Sequence, residues 1–505
     1  MVDKSVNSGR VATDPWDEVA RRLGTDLYLD LQPDPTASPR GRGARRRHSL
    51  AEALRAAIDD GRLPAGTRLP PYRSLAADVG LARGTVASVY QELIAEGWLV
   101  ARQGSGTHVA DTVGRARTDA EPTRARAELP PPRHNFALGQ PNSSLFPRAD
   151  WIASTRRAIT EAPDDAFAPG HPQGTARLRR SLASYLARAR GVRAEPEQIV
   201  LTTSVMSALE LLSRSIFGDI LAVESHGLPF HRQVIERGGT STVPVAIDTD
   251  GAVVDDLPDA VAGVLLTPSH QFPTGVSLSP PRRTAVIEWA RSGGRLIVED
   301  DYDGELRYDR EPVGALQALG PDVVIYAGSV SKSLSPAVRV GWLVLPPQLV
   351  DTMVWAKGIR EPDASIVDQL VLADLIDSGA YDRHIRRSRQ YYRRRRDRIT
   401  GRLARSGVRV PGIAAGLHAV IPLPADSESR VVADASRRGF ALAPLSFFRH
   451  PACDVTDGGS ADGRGLGGGV VVGFGTPAAS AFAADVEALA DLVGDYLPNR
   501  RLRAE

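Results

Sequence analysis

Hydrophobic positions in residues 45–110 fall into three short helical stripes followed by a hairpin pattern. Leu50, Leu54 and Ile58 recur every four residues, the spacing of one helix face. Gly61-Arg-Leu-Pro-Ala-Gly66 breaks that stripe and predicts a turn. A second helix is expected within Leu69–Val79, with proline near its first turn, where a missing N–H costs nothing. Gly80–Gly84 reads as a short turn. Val86, Val89, Tyr90, Leu93 and Ile94 then form a third amphipathic stripe, stopped at Gly97. Trp98–Val109 predicts two short strands around a glycine-rich tip.

Beyond residue 134 the pattern changes. Apolar, β-branched runs at Gln198–Thr203, Asp219–Glu224, Gly263–Thr267, Arg295–Asp300, Val323–Ala327 and Gly341–Leu345 alternate with helical stretches. Alternation of this kind predicts an α/β domain with a mainly parallel sheet covered on both faces, and ligands in such sheets sit at strand ends.

Composition bounds the class. The 505 residues are 42% hydrophobic and 24% charged, as in a globular protein. The lone Cys453 cannot staple a fold, which suits a reducing compartment. Met1–Ser5 opens without an apolar signal region, and no run of about 18 apolar residues occurs. A cytoplasmic protein without membrane contact is expected. The net charge of +2 hides an asymmetry: Arg40–Ala110 holds 11 Arg against 6 Asp/Glu, a basic module of the kind that meets nucleic acid. The expected organisation is a lead-in over 1–44, including a short helix near Trp16–Leu23, then a small domain at 45–110. A polar linker follows at 111–133, and a large α/β unit covers 134–505. The main part of that unit is expected at about 150–375, with a smaller C-terminal α+β part at about 376–500.

Helix, helix, turn, helix and hairpin make a winged helix-turn-helix. Its third helix enters the major groove of DNA with its N-terminal residues at the base edges. Here these are Arg83, Gly84 and Thr85; the Arg83 fork matches guanine, and Thr85 and Ser88 suit phosphate or bases. Gly104, Ser105, Gly106 and Thr107 would form the wing tip. The run Gly61–Pro70 and the segment through Thr107 resemble the GntR family of bacterial regulators. That resemblance places DNA contacts at Arg73, Arg83, Gly84, Thr85 and Gly104.

Two strand ends in the large unit carry chemistry. One is Arg295-Leu-Ile-Val-Glu-Asp-Asp-Tyr-Asp-Gly304, a buried-strand pattern ending in several acids, although unpaired carboxylates are costly to bury. The other, Tyr326–Arg339, gathers Ser329, Ser331, Lys332 and Arg339. Together they suit pyridoxal 5'-phosphate. Lys332 is assigned the aldehyde as Schiff-base lysine, and Asp300 the pyridine nitrogen. Tyr302 is assigned the ring hydroxyl, and Ser329, Ser331 and Arg339 the phosphate. Thr267-Pro-Ser-His-Gln-Phe-Pro-Thr-Gly275, Glu299–Tyr308 and Ser329–Arg339 resemble the MocR/GabR subfamily of GntR regulators, in which the winged helix-turn-helix is fused to a fold-type I aminotransferase-like domain. The resemblance covers roughly residues 48–475. It implies a seven-stranded, mainly parallel sheet, and a head-to-tail, domain-swapped homodimer on a double-stranded DNA operator.

The chain departs from that family around the cofactor. Leu228 stands where the family usually has a ring-covering tyrosine. Phe230 and Val471 stand where GabR-like members have effector-binding arginines, with Arg464 nearby only in a glycine-rich stretch. Pro169 replaces another common tyrosine. Thr203-Ser-Val-Met-Ser-Ala-Leu209 replaces a glycine-containing phosphate cup, although the amides of Ser204, Val205 and Met206 could still bind phosphate. These losses argue against a carboxylate clamp and against turnover. The leading expectation is a regulator that senses a small amine, an amino acid or the cofactor itself. A working aminotransferase, capable at least of half-transamination, and a regulator whose large domain is only a dimerisation scaffold are the alternatives. No metal site is expected.

Overall fold

The computed structural model describes residues 42–111 and 131–497, except 169, 309–312, 361–363, 425 and 454–466. The expected helix near Trp16–Leu23, nearly all of the 111–133 linker, Pro169 and Arg464 lie outside the described residues. The chain divides into two compact units, Met1–Pro130 and Pro131–Glu505.

In the first unit, α1 (Arg42–Asp59), α2 (Tyr72–Asp78) and α3 (Arg83–Ala95) precede the antiparallel hairpin of β1 (Leu99–Arg102) and β2 (Gly106–Val109). The anticipated stripes meet in one core: Leu50, Leu54, Ile58, Leu75, Val86, Val89, Tyr90 and Leu93 are all buried. Tyr90 closes it by donating its hydroxyl to the Pro70 carbonyl at 3.1 Å. Arg47–Glu92 and Arg55–Glu96 ion pairs, each 2.6 Å, strap α1 to α3. The turn before α3 is shorter than the sequence suggested. Ala82 is extended, its carbonyl takes the amides of Thr85 and Val86, and Arg83 and Gly84 already lie in the helix.

The second unit opens with β3 (His134–Asn135) and is built on a sheet of seven strands. They are β4 (Ile199–Thr202), β5 (Ile220–Glu224), β6 (Ser241–Val245), β9 (Gly263–Leu266), β10 (Leu296–Asp300), β11 (Val324–Ser329) and β12 (Gly341–Val344). A side ladder joins β7 (Ile247–Asp248) to β8 (Gly251–Ala252). The spatial order is β4-β12-β11-β10-β9-β5-β6; β12 is antiparallel to both neighbours and the remaining pairs are parallel. Six strands match the apolar runs. The seventh, β6, carries Pro244, which an edge strand tolerates and which masks it in the sequence.

The helices are α4 (Arg148–Glu161), α5 (Ala176–Arg190), α6 (Val205–Ser215), α7 (Pro229–Arg237), α8 (Pro280–Gly293), α9 (Val350–Arg360), α10 (Ile366–Asp377), α11 (Ala380–Arg405), α12 (Glu428–Arg438) and α13 (Phe482–Gly494). Helix α11 bridges two cores. Tyr381 and Ile385 pack with the large sheet's Val344 and Trp342, while Tyr392, Ile399 and Leu403 pack with Val431, Val472 and Leu489. This second core lies on the antiparallel sheet β13 (His418–Pro422), β16 (Gly469–Gly473) and β15 (Ala443–Pro444). It also includes Phe136, and β3 pairs with β14 (Phe440–Ala441). The smaller part is therefore not a continuous C-terminal piece; the chain enters it first, at residues 134–136. Among the described residues no helix is long and apolar enough to cross a membrane.

Candidate functional site: a cofactor cavity and a DNA-reading helix

The ends of β5, β10 and β11 and the start of α6 converge on a cavity of about 630 Å³. It brings together every residue assigned to the cofactor: Lys332, Asp300, Tyr302, Ser329, Ser331, Arg339, Ser204, Val205 and Met206.

The acids ending β10 sort themselves by partner. Glu299 accepts the amides of Leu316 and Gln317 at 2.8 and 2.9 Å. Asp301 holds a buried ion pair with Arg190 at 2.6 Å and accepts the Tyr326 hydroxyl at 2.8 Å. Asp303 lies 2.8 Å from His270 Nδ1. Asp300 alone is left over. It is buried, its Oδ1 has no hydrogen-bond partner, and its Oδ2 comes no closer than 3.9 Å to His231 Nδ1. Burial, reinforced by Asp301 and Asp303, pushes its carboxyl up to about 8. Burial likewise pushes His231 down to about 4, leaving it neutral and unable to compensate the acid as a cation. A cationic ring nitrogen in the cavity would supply what Asp300 lacks, so the donor set fits pyridoxal phosphate.

Lys332 follows β11 and donates to the Gly139 carbonyl at 2.6 Å. Burial lowers its pKa against the opposing pull of Asp300 and Asp303, which favours a nucleophilic amine. Ser204 caps α6 reciprocally: its Oγ accepts the Ser207 amide and its own amide donates to Ser207 Oγ, both at 3.1 Å. The Ser204 amide is thus engaged, whereas the first-turn amides of Val205 and Met206 have no acceptor within the helix. Val205, Met206, Ser329, Ser331 and the exposed Arg339 all line the cavity, a donor set that could hold an anion. Arg339 sits at φ 56, a left-handed conformation that a side chain seldom adopts away from functional sites.

Leu228 and Phe230 also line the cavity, Phe230 being 54% exposed. Val471, expected on the effector side, does not reach the cavity. It is fully buried in the middle strand β16 between Val420 and Ala443, packed in one apolar cluster with Phe272 and Phe448, which do line the cavity. Among the described residues the arginines lining the cavity are Arg232 and Arg339. Arg232 is buried and donates to the carbonyls of Gly227, Phe448 and Arg449 at 3.2–3.4 Å.

Sequence reasoning passed over His231, Arg232, His270, Asp303 and His418. His270 and Asp303 lay inside quoted motifs, yet only the fold places their side chains together. In the first unit Arg73, Arg83, Gly84 and Gly104 are exposed, and Thr85, Ser88 and Ser105 are partly so. Thr107, expected at the wing tip, lies inside strand β2 instead. The hairpin register pairs Ala101 with Thr107, so the tip is Gln103–Ser105. The Thr107 side chain is buried, and its carbonyl accepts the Leu69 amide at 2.8 Å.

Comparison with known proteins agrees with both units. The sequence model "Bacterial regulatory proteins, gntR family" matches residues 46–109, and "Aminotransferase class I and II" matches 135–452. The chain is 33% identical over 455 residues to the HTH-type pyridoxine biosynthesis transcriptional regulator PdxR of Corynebacterium glutamicum, covering 89% of this chain and 95% of that protein. It is 34% identical over 367 residues to the probable rhizopine catabolism regulatory protein MocR of Rhizobium meliloti, covering 68% and 74%. Among solved structures, kynurenine aminotransferase of Pyrococcus horikoshii superposes with a TM-score of 0.64 at 26% identity, over 72% of this chain and 91% of that one.

Proposed function

Because this chain belongs to the GntR family of bacterial regulatory proteins, in the MocR/GabR branch that carries an aminotransferase-like domain, we propose that it is a transcription regulator that holds pyridoxal phosphate on Lys332 and reads the occupancy of that cavity as its signal. The observation that carries the reading is Asp300, a buried carboxylate with an orphaned oxygen in the cavity that also holds Lys332. A mere scaffold gains nothing from such a group, since an uncompensated buried acid only costs stability.

When bound, the cofactor supplies an aldehyde for an amine and a ring that withdraws electrons. Lys332 would hold the aldehyde, Asp300 the ring nitrogen and Tyr302 the ring hydroxyl. Ser329, Ser331, Arg339 and the Val205 and Met206 amides would hold the phosphate. Leu228 would cover the ring as an aliphatic lid rather than by stacking. Among the described residues the cavity is lined by two arginines: Arg339, assigned to the phosphate, and the buried Arg232, which already gives three of its five N–H groups to carbonyls and is poorly free to clamp a substrate carboxylate. Regulation without turnover therefore fits better than transamination. The cofactor itself is the favoured effector, in keeping with the PdxR relative's name.

Arg83, Gly84, Thr85 and Ser88 would read base edges, with Arg73, Gly104 and Ser105 on the backbone. A homodimer is supported by apolar side chains left in solvent on the second unit: Ile152 (68% exposed) and Ile159 two turns apart on α4, and Trp355 (71%) on α9. For allostery, cofactor binding must favour one arrangement of the DNA-binding units over another.

The test is a pyridoxal-phosphate titration of the full chain, following visible absorbance and the anisotropy of a DNA site selected from a random pool. An absorbance band lost in Lys332→Ala, with DNA affinity that changes with cofactor only when Lys332 is present, is the expected result. A colourless protein whose DNA affinity ignores the cofactor would overturn the proposal.

A further inference from the structure

The motifs that build the cavity also bring together a buried group with no role so far, His270 with Asp303, directly behind Tyr302. His270 Nδ1 lies 2.8 Å from Asp303 Oδ2 and 3.0 Å from the Tyr302 hydroxyl. We infer that the His270–Asp303 pair is a positioning device for Tyr302, holding its phenol as a neutral hydrogen-bond donor aimed at the cofactor's ring oxygen. The inference rests on the cofactor reading given above.

A carboxylate oxygen at 2.8 Å accepts, so His270 Nδ1 carries the hydrogen. With that tautomer fixed, the Tyr302 oxygen can accept from the same N–H; Asp303, which would otherwise compete for the phenol's own proton, is engaged by His270, so that proton can turn to the cavity. The phenol also stays protonated: burial and the neighbouring Asp303 and Asp300 push it well above the ordinary range. A phenol that accepts one hydrogen bond donates a stronger one, since chains of hydrogen bonds polarise one another.

The surroundings hold this geometry. Gly416 has φ +70, and a Cβ there would overlap Asp303 Oδ2 and His270 Cε1, so the chain passes only as glycine. His418 packs against His270 with ring centroids 5.1 Å apart but is directed elsewhere, its Nε2 donating to the Pro273 carbonyl at 3.1 Å. Burial holds His418 well below its ordinary pKa, so it adds no positive charge. The Phe272 ring stands edge-on to Tyr302 at 6.0 Å and 90° and limits its swing. The titratable groups facing Tyr302 are therefore His270, Asp303, Asp300, Glu224 and His418, with Lys332 nearby.

A donor at the ring oxygen stabilises the form of the bound cofactor that carries negative charge there. It should lower the pH midpoint of the absorbance change that follows protonation of the Lys332-linked nitrogen. The experiment measures that midpoint in the cofactor-loaded full chain and in Tyr302→Phe, His270→Phe, His270→Gln and the Tyr302→Phe/His270→Phe double variant. Tyr302→Phe should raise it by about 1–2 units and His270→Phe by about 1. His270→Gln, whose amide can serve both partners, should restore most of the wild-type value. The double variant should match Tyr302→Phe alone, because His270 acts only through Tyr302.

A midpoint unchanged in His270→Phe while Tyr302→Phe moves it overturns the inference alone. So do shifts that add in full in the double variant. A wild-type protein with no cofactor band overturns the functional reading and this inference with it. If His270→Phe does not bind DNA or melt cooperatively, His270→Asn, too short to reach both partners, takes its place with the same expected shift.

Discussion

Replacing Asp300 by Asn should have opposite effects on the free and the loaded protein. The Asp300 carboxyl is pushed up to about 8 in the folded chain against an ordinary value of 3.8, because it is buried beside other acids and the nearby Lys332 only partly offsets that cost. The folded chain thus keeps a proton that the unfolded chain releases. That cost is absent below the unfolded value, grows as pH rises, and levels off above the folded value. At pH 7 the gap of about three units is worth roughly 4 kcal/mol as an upper limit, since water and relaxation screen buried charge. Asparagine removes the titration but leaves a buried amide, which costs about 1–3 kcal/mol. The net expectation for cofactor-free protein is a gain of about 1–3 kcal/mol near pH 8 that vanishes near pH 5. Urea unfolding at the two pH values measures it, and the difference between wild type and variant cancels Glu224, Glu299 and Glu305, which burial raises similarly to about 7. With saturating pyridoxal phosphate the order should invert, because the wild type gains binding energy that the variant cannot. A variant no more stable than wild type at pH 8 without cofactor, or equally stabilised by cofactor, would refute the assignment of Asp300 as the ring-nitrogen partner.

Arg83→Ala should weaken specific DNA binding by about 1–3 kcal/mol, roughly 5–150-fold, while non-specific binding changes little; competition anisotropy at fixed salt checks it. Thr107→Ala should lower stability by on the order of 1 kcal/mol and leave DNA affinity unaltered, since the side chain is packed under the hairpin; a selective loss of DNA binding would return Thr107 to the interface. Leu228→Tyr should tighten pyridoxal phosphate several-fold by adding about 0.5–1.5 kcal/mol of ring contact, read by fluorescence titration; unchanged or weaker binding would show that this wall does not cover the ring.

The sequence by itself determined what depends on near neighbours along the chain. Stripes such as Leu50-Leu54-Ile58 announce helices because 3.6-residue periodicity is local. Six of the seven main strands show because a strand buried on both faces must be apolar throughout. Lys332 and Arg339 stood out because one loop presents both, and Asp300 because an acid ending such a strand demands a reason. Tertiary structure decided what depends on separation in space. It turned the Thr107 side chain to the buried face of the hairpin through register, and it placed Val471 in the buried middle strand of the smaller sheet. It drew residues 134–136 into the smaller part through pairing with β14. Above all it selected among the acids after β10. Arg190, His270 and the amides of Leu316 and Gln317 come from distant segments and compensate Asp301, Asp303 and Glu299. No spacing along the chain could have shown that Asp300 would be the one left without a partner, because whether a buried charge is compensated depends on which groups the fold brings within a few ångströms of it.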